Sequence, residues 1–385
     1  MRILYVINPK AEVSQWGRLG DTALTQYLLK GLSDYTDVEV DLVCGRPIGT
    51  EDITLYLDKV SELGLHNIFC SFEYDPYKHL SQKAYWSHIS ELCELYHYDL
   101  VHVHQAQVAA SKHIADFSKK TNIPVVWTLH NPPEGRATFS YAEDYQRVID
   151  SPICRLVCVS SSAKSRLIKS MKLCNGEDIR YIYNGIPIDP NYRQGELYAK
   201  YIGVGRIDPP KNTLGLLQFM EYMYLNHGHK SIYIGSTFST YESDSSYVSQ
   251  CVDILKRGIR QGWMTWIKEA SHDLVLRMMS SASYYVNLSR VETFSLTSCE
   301  AMSIGTPVIC FNEAGPGEIV KSEYGIKIPV LFRRSFSSYI KDIESKVLSD
   351  HYIYDVESMH NYVVRNFSIQ KMAENYINLY KELIV

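Results

Sequence analysis

No run of about 18 apolar residues occurs in this 385-residue chain, so no segment reads as a membrane-spanning helix. No block of Lys and Arg occurs either. With a formal net charge of −4, general affinity for nucleic acid is not signalled. The nine cysteines are odd in number and scattered, without a C-x-x-C pair. Cys154 and Cys158 stand four apart, outside the usual zinc spacings, so the cysteines read as buried thiols in a reducing compartment. Repeats and low-complexity segments are missing. The first residues, Met1-Arg-Ile-Leu-Tyr-Val-Ile-Asn8, are too short and polar-flanked for a signal peptide and read as a strand. The thirty tyrosines are unusual but carry no motif.

What is present is strand–helix alternation, in two series. Strands fit Ile3–Ile7, Val38–Val43, Asn67–Phe69, Leu100–Val103, Val125–Leu129 and Leu156–Val159. Amphipathic helices fit Thr22–Ser33, Tyr85–Tyr96, Gln107–Thr121 and Ala163–Met171. A second series begins at Tyr198 and continues through Ser231–Ile234, Met264–Ile267, Tyr284–Leu288 and Val308–Phe311. The alternation predicts an α/β protein of two Rossmann-like, doubly wound parallel sheets. Expected divisions are a first domain over 1–190, a second over 191–365, and a final helix over 366–385.

Three constellations carry chemistry. Glu292 and Glu300 stand eight positions apart, on the loop and helix of a strand–helix–strand unit that ends in Gly305-Thr-Pro307-Val-Ile309. A helix N-terminus near Phe294 and Ser295 offers free N–H groups to a phosphate, and a carboxylate accepts the two hydroxyls of a ribose. Gly203-Val-Gly205-Arg206-Ile-Asp-Pro-Pro-Lys211 ends a strand and places an Arg fork and a Lys charge on one loop, suited to a diphosphate. Trp127-Thr-Leu-His130 and Val101-His102-Val-His104 end two strands of the first series. Alternation puts His102 and His104 on one face, without a carboxylate or Cys at metal-ligand spacing. Each group has a plainer reading: solvated glutamates, surface cations, structural histidines.

Together these segments resemble retaining glycosyltransferases of the GT-B fold, in particular glycosyltransferase family 4. The resemblance rests on E-x7-E at Glu292 and Glu300, on the following Gly305, Pro307, Val308 and Ile309, and on G-R-x(4)-K at Gly205, Arg206 and Lys211. It covers nearly the whole chain and implies an interdomain cleft, with the last helix crossing back to the first domain.

The resemblance further implies transfer of a sugar from a nucleoside diphosphate sugar, UDP- before GDP-, to an acceptor hydroxyl. Arg206 and Lys211 would stabilise the leaving diphosphate, Glu292 would face the donor sugar, and His130 would orient it. Glu300, Phe294, Ser295 and Gly205 would complete the donor site. Gly17 and Gly20 would serve in the first loop, although Leu19 stands where the family has the first of two adjacent glycines. His104 and Arg18 are expected on the acceptor side, with walls at Leu42–Asp58 and His130–Tyr145. No metal and no cofactor beyond the nucleotide sugar is called for.

A saccharide or lipid-linked glycan is the expected acceptor, which places the protein in the cytoplasm with peripheral contact at the inner face of the membrane. Rival readings are a nucleotide-sugar epimerase, a binding module without catalysis, and transfer to hydroxymethylated DNA bases. Tyrosine richness is compatible with base stacking; the acidic balance argues against it.

Overall fold

The computed structural model describes residues 1–8, 20–47, 54–74, 81–104, 110–132, 140–189, 195–236, 245–330, 336–350 and 353–384. It forms two compact units, Met1–Pro187 with Phe367–Val385, and Ile188–Asn366.

The first unit runs β1 (Arg2–Val6), α1 (Gly20–Leu32), β2 (Glu39–Pro47), α2 (Thr54–Leu63), β3 (Asn67–Tyr74), α3 (Gln82–Tyr96), β4 (Leu100–His104), α4 (Ala110–Thr121), β5 (Val125–Leu129), α5 (Ala142–Ile149), β6 (Cys154–Cys158), α6 (Ser161–Met171) and β7 (Arg180–Tyr181). The strands form a parallel sheet in the order β3-β2-β1-β4-β5-β6-β7. Central strands are mainly apolar because both of their faces are buried. Ile3, Leu4 and Tyr5 of β1 and Val125, Val126 and Trp127 of β5 are fully buried.

Two strands outrun the sequence reading. β2 reaches Pro47 and β3 reaches Tyr74, because beyond an irregularity at Val43/Gly45 their outer halves pair with each other. Those halves put Gly45, Pro47 and the Arg46–Glu73 ion pair into the ladder, so the apolar pattern breaks before the ladder does. At α6 the sequence is explicit: Ser160 caps the helix by accepting from the Ala163 N–H at 3.0 Å.

The second unit runs β8 (Ala199–Val204), α7 (Thr213–His227), β9 (Ser231–Ile234), α8 (Ser245–Arg260), β10 (Met264–Ile267), α9 (His272–Ser280), β11 (Ala282–Asn287), α10 (Leu296–Ser303), β12 (Val308–Phe311), α11 (Ala314–Ile319), β13 (Gly325–Ile328), α12 (Phe336–Leu348) and α13 (Val356–Phe367). Its parallel sheet has the order β10-β9-β8-β11-β12-β13. The order reverses between β8 and β11, so the loops leaving those strands diverge and open a crevice at their C-terminal ends, where ligands of such sheets bind.

The last helix, α14 (Ile369–Ile384), belongs to the first unit. Met372, Ala373, Tyr376, Ile377 and Tyr380 join its core. Gly31 permits the approach of α1, since a Cβ there would lie 2.8 Å from the Ile369 side chain. The chain around Ile186 pairs with the entry to α14: the Ile186 N–H donates to the Phe367 carbonyl at 2.8 Å, and the Ile369 N–H donates to the Ile186 carbonyl at 3.1 Å. Among the described residues, no helix is long and apolar enough to cross a membrane.

Candidate active site

The crevice of the second unit is built by two loops. The first leaves β8 through Gly205, whose φ of 152° suits glycine. Its carbonyl accepts from the Tyr233 hydroxyl at 2.7 Å. The turn to α7 is held from within: the Thr213 hydroxyl donates to the Arg206 carbonyl at 2.9 Å, and the Tyr247 hydroxyl donates to the Asp208 carbonyl at 3.3 Å. The second loop, leaving β11, docks on the first, with the Arg290 N–H donating to the Pro210 carbonyl at 3.0 Å.

These loops pair two of the four expected charged groups of this unit and carry a third, Arg206, on the loop of Lys211. Lys211 Nζ donates to Glu292 Oε2 at 2.5 Å, across 81 residues of sequence. Arg206 lies on the same loop, with its guanidinium 3.3 Å from Asp208. The sequence reading left both cations free for a ligand; in the structure each has a carboxylate partner. A half-exposed cation without a ligand gains from a nearby carboxylate, and Glu292, with 16% of its side chain exposed, needs one more.

Glu300 lies just over one turn into α10, which begins at Leu296. Its side chain is nearly buried, and His272, the first residue of α9, holds Oε1 at 3.0 Å. The hydrogen bond to Glu300 raises the His272 pKa above the ordinary histidine value, against the opposing effect of burial.

The start of α10 is shaped by Ser295, which has φ 88° and ψ 77°, a left-handed conformation that a serine seldom adopts. Asn287, at the end of β11, holds it there: the Asn287 amide donates to Ser295 Oγ at 2.8 Å, and Ser295 and Ser298 share a hydroxyl bond of 2.8 Å. The Ser295 side chain therefore does not cap the helix. Phe294 is buried, and Gly315 packs on its backbone; a Cβ at Gly315 would lie 2.5 Å from the Phe294 N and O atoms.

In the first unit, His104 and His130 sit at the ends of β4 and β5, both buried. Their rings stack at 4.5 Å and their Nε2 atoms are hydrogen-bonded to each other. One Nε2 donates and the other accepts, so one Nδ1 is a lone-pair acceptor and the other an N–H donor. Both Nδ1 atoms are buried and have no hydrogen-bond partner among the described residues. Burial pushes the His130 pKa down to about 3 and His104 well below its ordinary value, so both are neutral near pH 7. His102 lies on the same face, stacked on His104, but turns to α14: its Nδ1 bonds the Tyr380 hydroxyl at 2.6 Å and its Nε2 bonds Thr128 at 2.9 Å.

Gly20 is the first residue of α1. Gly17 and Arg18 lie outside the described residues, as do 48–53 and 133–139 within the expected acceptor walls. Among the described residues, no three His, Cys, Asp or Glu side chains gather as a metal-holding group. The sequence reading missed His272 and Asn287. A Ser-His-Asp at a helix start and an Asn closing a strand signal a cap and a turn; their partners, 28 and 8 residues away, leave no local pattern.

Two family models match in tandem: Glycosyltransferase Family 4 over residues 22–190 and Glycosyl transferases group 1 over residues 192–376. An uncharacterised glycosyltransferase of Methanocaldococcus jannaschii is 25% identical over 315 residues, covering 74% of this chain and 75% of that one. The UDP-Gal:alpha-D-GlcNAc-diphosphoundecaprenol alpha-1,3-galactosyltransferase of Escherichia coli is 24% identical over 310 residues, 75% of this chain and 76% of its own length. Among solved structures, Anabaena HepE in complex with UDP matches the whole of both chains with a TM-score of 0.72 at 15% identity. With two parallel-sheet α/β units and both family models in sequence, the chain belongs to the GT-B glycosyltransferases of group 1, of the family 4 type.

Proposed function

We propose that this glycosyltransferase moves a sugar from a nucleoside diphosphate sugar to an acceptor hydroxyl with retention of anomeric configuration. The observation that carries this reading is the Lys211–Glu292 pair, with Arg206 on the loop of Lys211 and the uncapped N-terminus of α10, at the strand-order reversal of the second unit. A diphosphate brings the negative charge that Lys211 takes from Glu292 in the free protein. On donor binding the ammonium exchanges one anion for another, and the Glu292 carboxylate is released toward the sugar. There it accepts from sugar hydroxyls and stabilises the positive charge developing at the anomeric carbon.

Arg206, Lys211 and the N–H groups near Phe294 and Ser295 hold the departing diphosphate. Glu300 accepts the ribose hydroxyls. His130 is neutral, so it orients a sugar hydroxyl by hydrogen bonding rather than by charge. The bond from the anomeric carbon to the phosphate oxygen breaks and the acceptor oxygen bonds to the same face. The acceptor proton leaves on the phosphate, and the products are a glycoside and a nucleoside diphosphate. No metal enters this scheme, since the two cations carry the leaving-group charge.

A uridine donor is placed before a guanosine one, in keeping with the UDP bound by the Anabaena neighbour and the UDP-Gal donor of the Escherichia coli relative. That relative's diphosphoundecaprenol acceptor favours a saccharide on a lipid carrier here, met by peripheral contact at the cytoplasmic face of a membrane. The test is nucleotide release from a panel of UDP-, GDP-, ADP- and CMP-sugars without added metal. Release from one donor, lost in Lys211→Ala and Glu292→Gln, is expected. Equal release by the parent and both variants would refute the assignment.

A further inference from the structure

The Glu300 carboxylate is half occupied. His272 holds Oε1, and among the described residues Oε2 has no hydrogen-bond partner. His272 is likewise half used: its Nε2 faces Glu300, while Nδ1 has no hydrogen-bond partner among the described residues. Its side chain is 48% exposed against 10% for Glu300, so the imidazole stands at the mouth of the position where the carboxylate lies. The two residues arrive from different elements, α9 and α10. Ser271 fixes the start of α9 by accepting from the Leu274 N–H at 3.2 Å, so the backbone that carries the imidazole is anchored.

Resting on the donor site proposed above, we infer that His272 is a positioning residue for Glu300 in nucleoside recognition, and that its Nδ1 makes donor affinity depend on pH. Holding Oε1 directs Oε2 to the ribose hydroxyls and removes rotamer freedom that the bound state would otherwise cost. The imidazolium also presents an Nδ1–H donor to a ribose or base oxygen. The neutral ring that keeps its proton on Nε2 for Glu300 presents a lone pair at Nδ1 instead. Titration thus reverses the polarity of one contact at the nucleoside.

The charged groups acting on the ring are Glu300 from α10 and Asp273 on its own helix, and both favour the charged form. Asp273 is itself paired with Arg277 at 2.9 Å, Lys268 of the preceding turn lies over the Trp266 ring, and Lys200 of β8 lies over the Tyr284 ring. The His272 pKa is raised, so its contribution is full below the ordinary histidine range and fades as pH rises through the raised value.

The experiment is calorimetric titration of the full chain with UDP, and with GDP as second titrant, from pH 6 to 9. Parent protein, His272→Ala and His272→Gln are compared. The nucleotide's own phosphate titration is common to all three, so differences report the imidazole.

The parent is expected to bind less tightly as pH rises. His272→Ala should bind roughly tenfold more weakly at pH 6 and lose that component of the pH dependence, as for a lost charge-assisted hydrogen bond. His272→Gln keeps an N–H at the Nε2 position without a titrating group, so it should match the parent's affinity at pH 9 and keep the flattened profile. Variants matching the parent in affinity and pH profile would overturn the inference and leave the donor site standing. A parent that binds neither nucleotide would remove the donor site and this inference together.

Discussion

Glu292→Gln is expected to separate binding from turnover, because Glu292 holds Lys211, which the proposed donor diphosphate would take over. Lys211 Nζ lies 2.5 Å from Glu292 Oε2, with 34% and 16% of the two side chains exposed. An ion pair this open to solvent is worth about 1 kcal/mol, near the top of the range for surface pairs. Replacing the carboxylate with an amide removes that competitor for Lys211. UDP should then bind about fivefold more tightly, since 1.4 kcal/mol corresponds to a factor of ten.

Turnover should move the other way. Losing one group that stabilises the transition state costs about 2.7–4 kcal/mol, a fall of roughly 10²–10³ in kcat. Calorimetry with UDP gives the first quantity and a nucleotide-release assay with the preferred donor gives the second. A Glu292→Gln protein whose UDP affinity and kcat fall by the same factor would refute the exchange of anions at Lys211.

Three further outcomes follow from the same geometry. Asn287→Ala leaves Ser295 in a strained backbone conformation without its partner and should destabilise the protein by about 1–3 kcal/mol, read by urea denaturation, with weaker UDP binding. Gly315→Ala places a methyl against the Phe294 backbone and should weaken UDP binding more than it lowers the Tm, read by calorimetry and thermal unfolding on one sample. Three buried neutral histidines, His102, His104 and His130, have pKa values held down by burial. Their stability contribution is complete above about pH 6.5 and falls as acid is added, by up to about 1.4 kcal/mol per pH unit for each, with denaturation at pH 7.5 and 5.0 as the check.

Most strands of both units were legible in the sequence, the helices of the second unit much less so. Val308-Ile-Cys-Phe311 and Ser231–Ile234 are strands buried on both faces, and their apolar runs end where their ladders end. β13 went unread because its Gly325-Ile-Lys-Ile is short and interrupted by a lysine. The outer half of β3 was hidden because its pairing partner, Gly45-Arg-Pro47, is itself polar. Glu292, Glu300, Arg206 and Lys211 were legible as residues because spacing marks them. Their pairings were not, since Lys211 meets Glu292 across 81 positions and Glu300 meets His272 from another helix. The last helix was legible as an element; the hydroxyls of Tyr376 and Tyr380, which reach Thr128 and His102, add an anchor that periodicity does not record.

Arg206, Lys211, Glu292 and Glu300 are the proposed nucleoside diphosphate sugar site. A crystal structure of the full chain with UDP tests it most directly. Lys211 Nζ is expected on the diphosphate and parted from Glu292, with Glu300 on the ribose hydroxyls and α10 facing a phosphate. UDP bound elsewhere, with Lys211 still on Glu292, would contradict it.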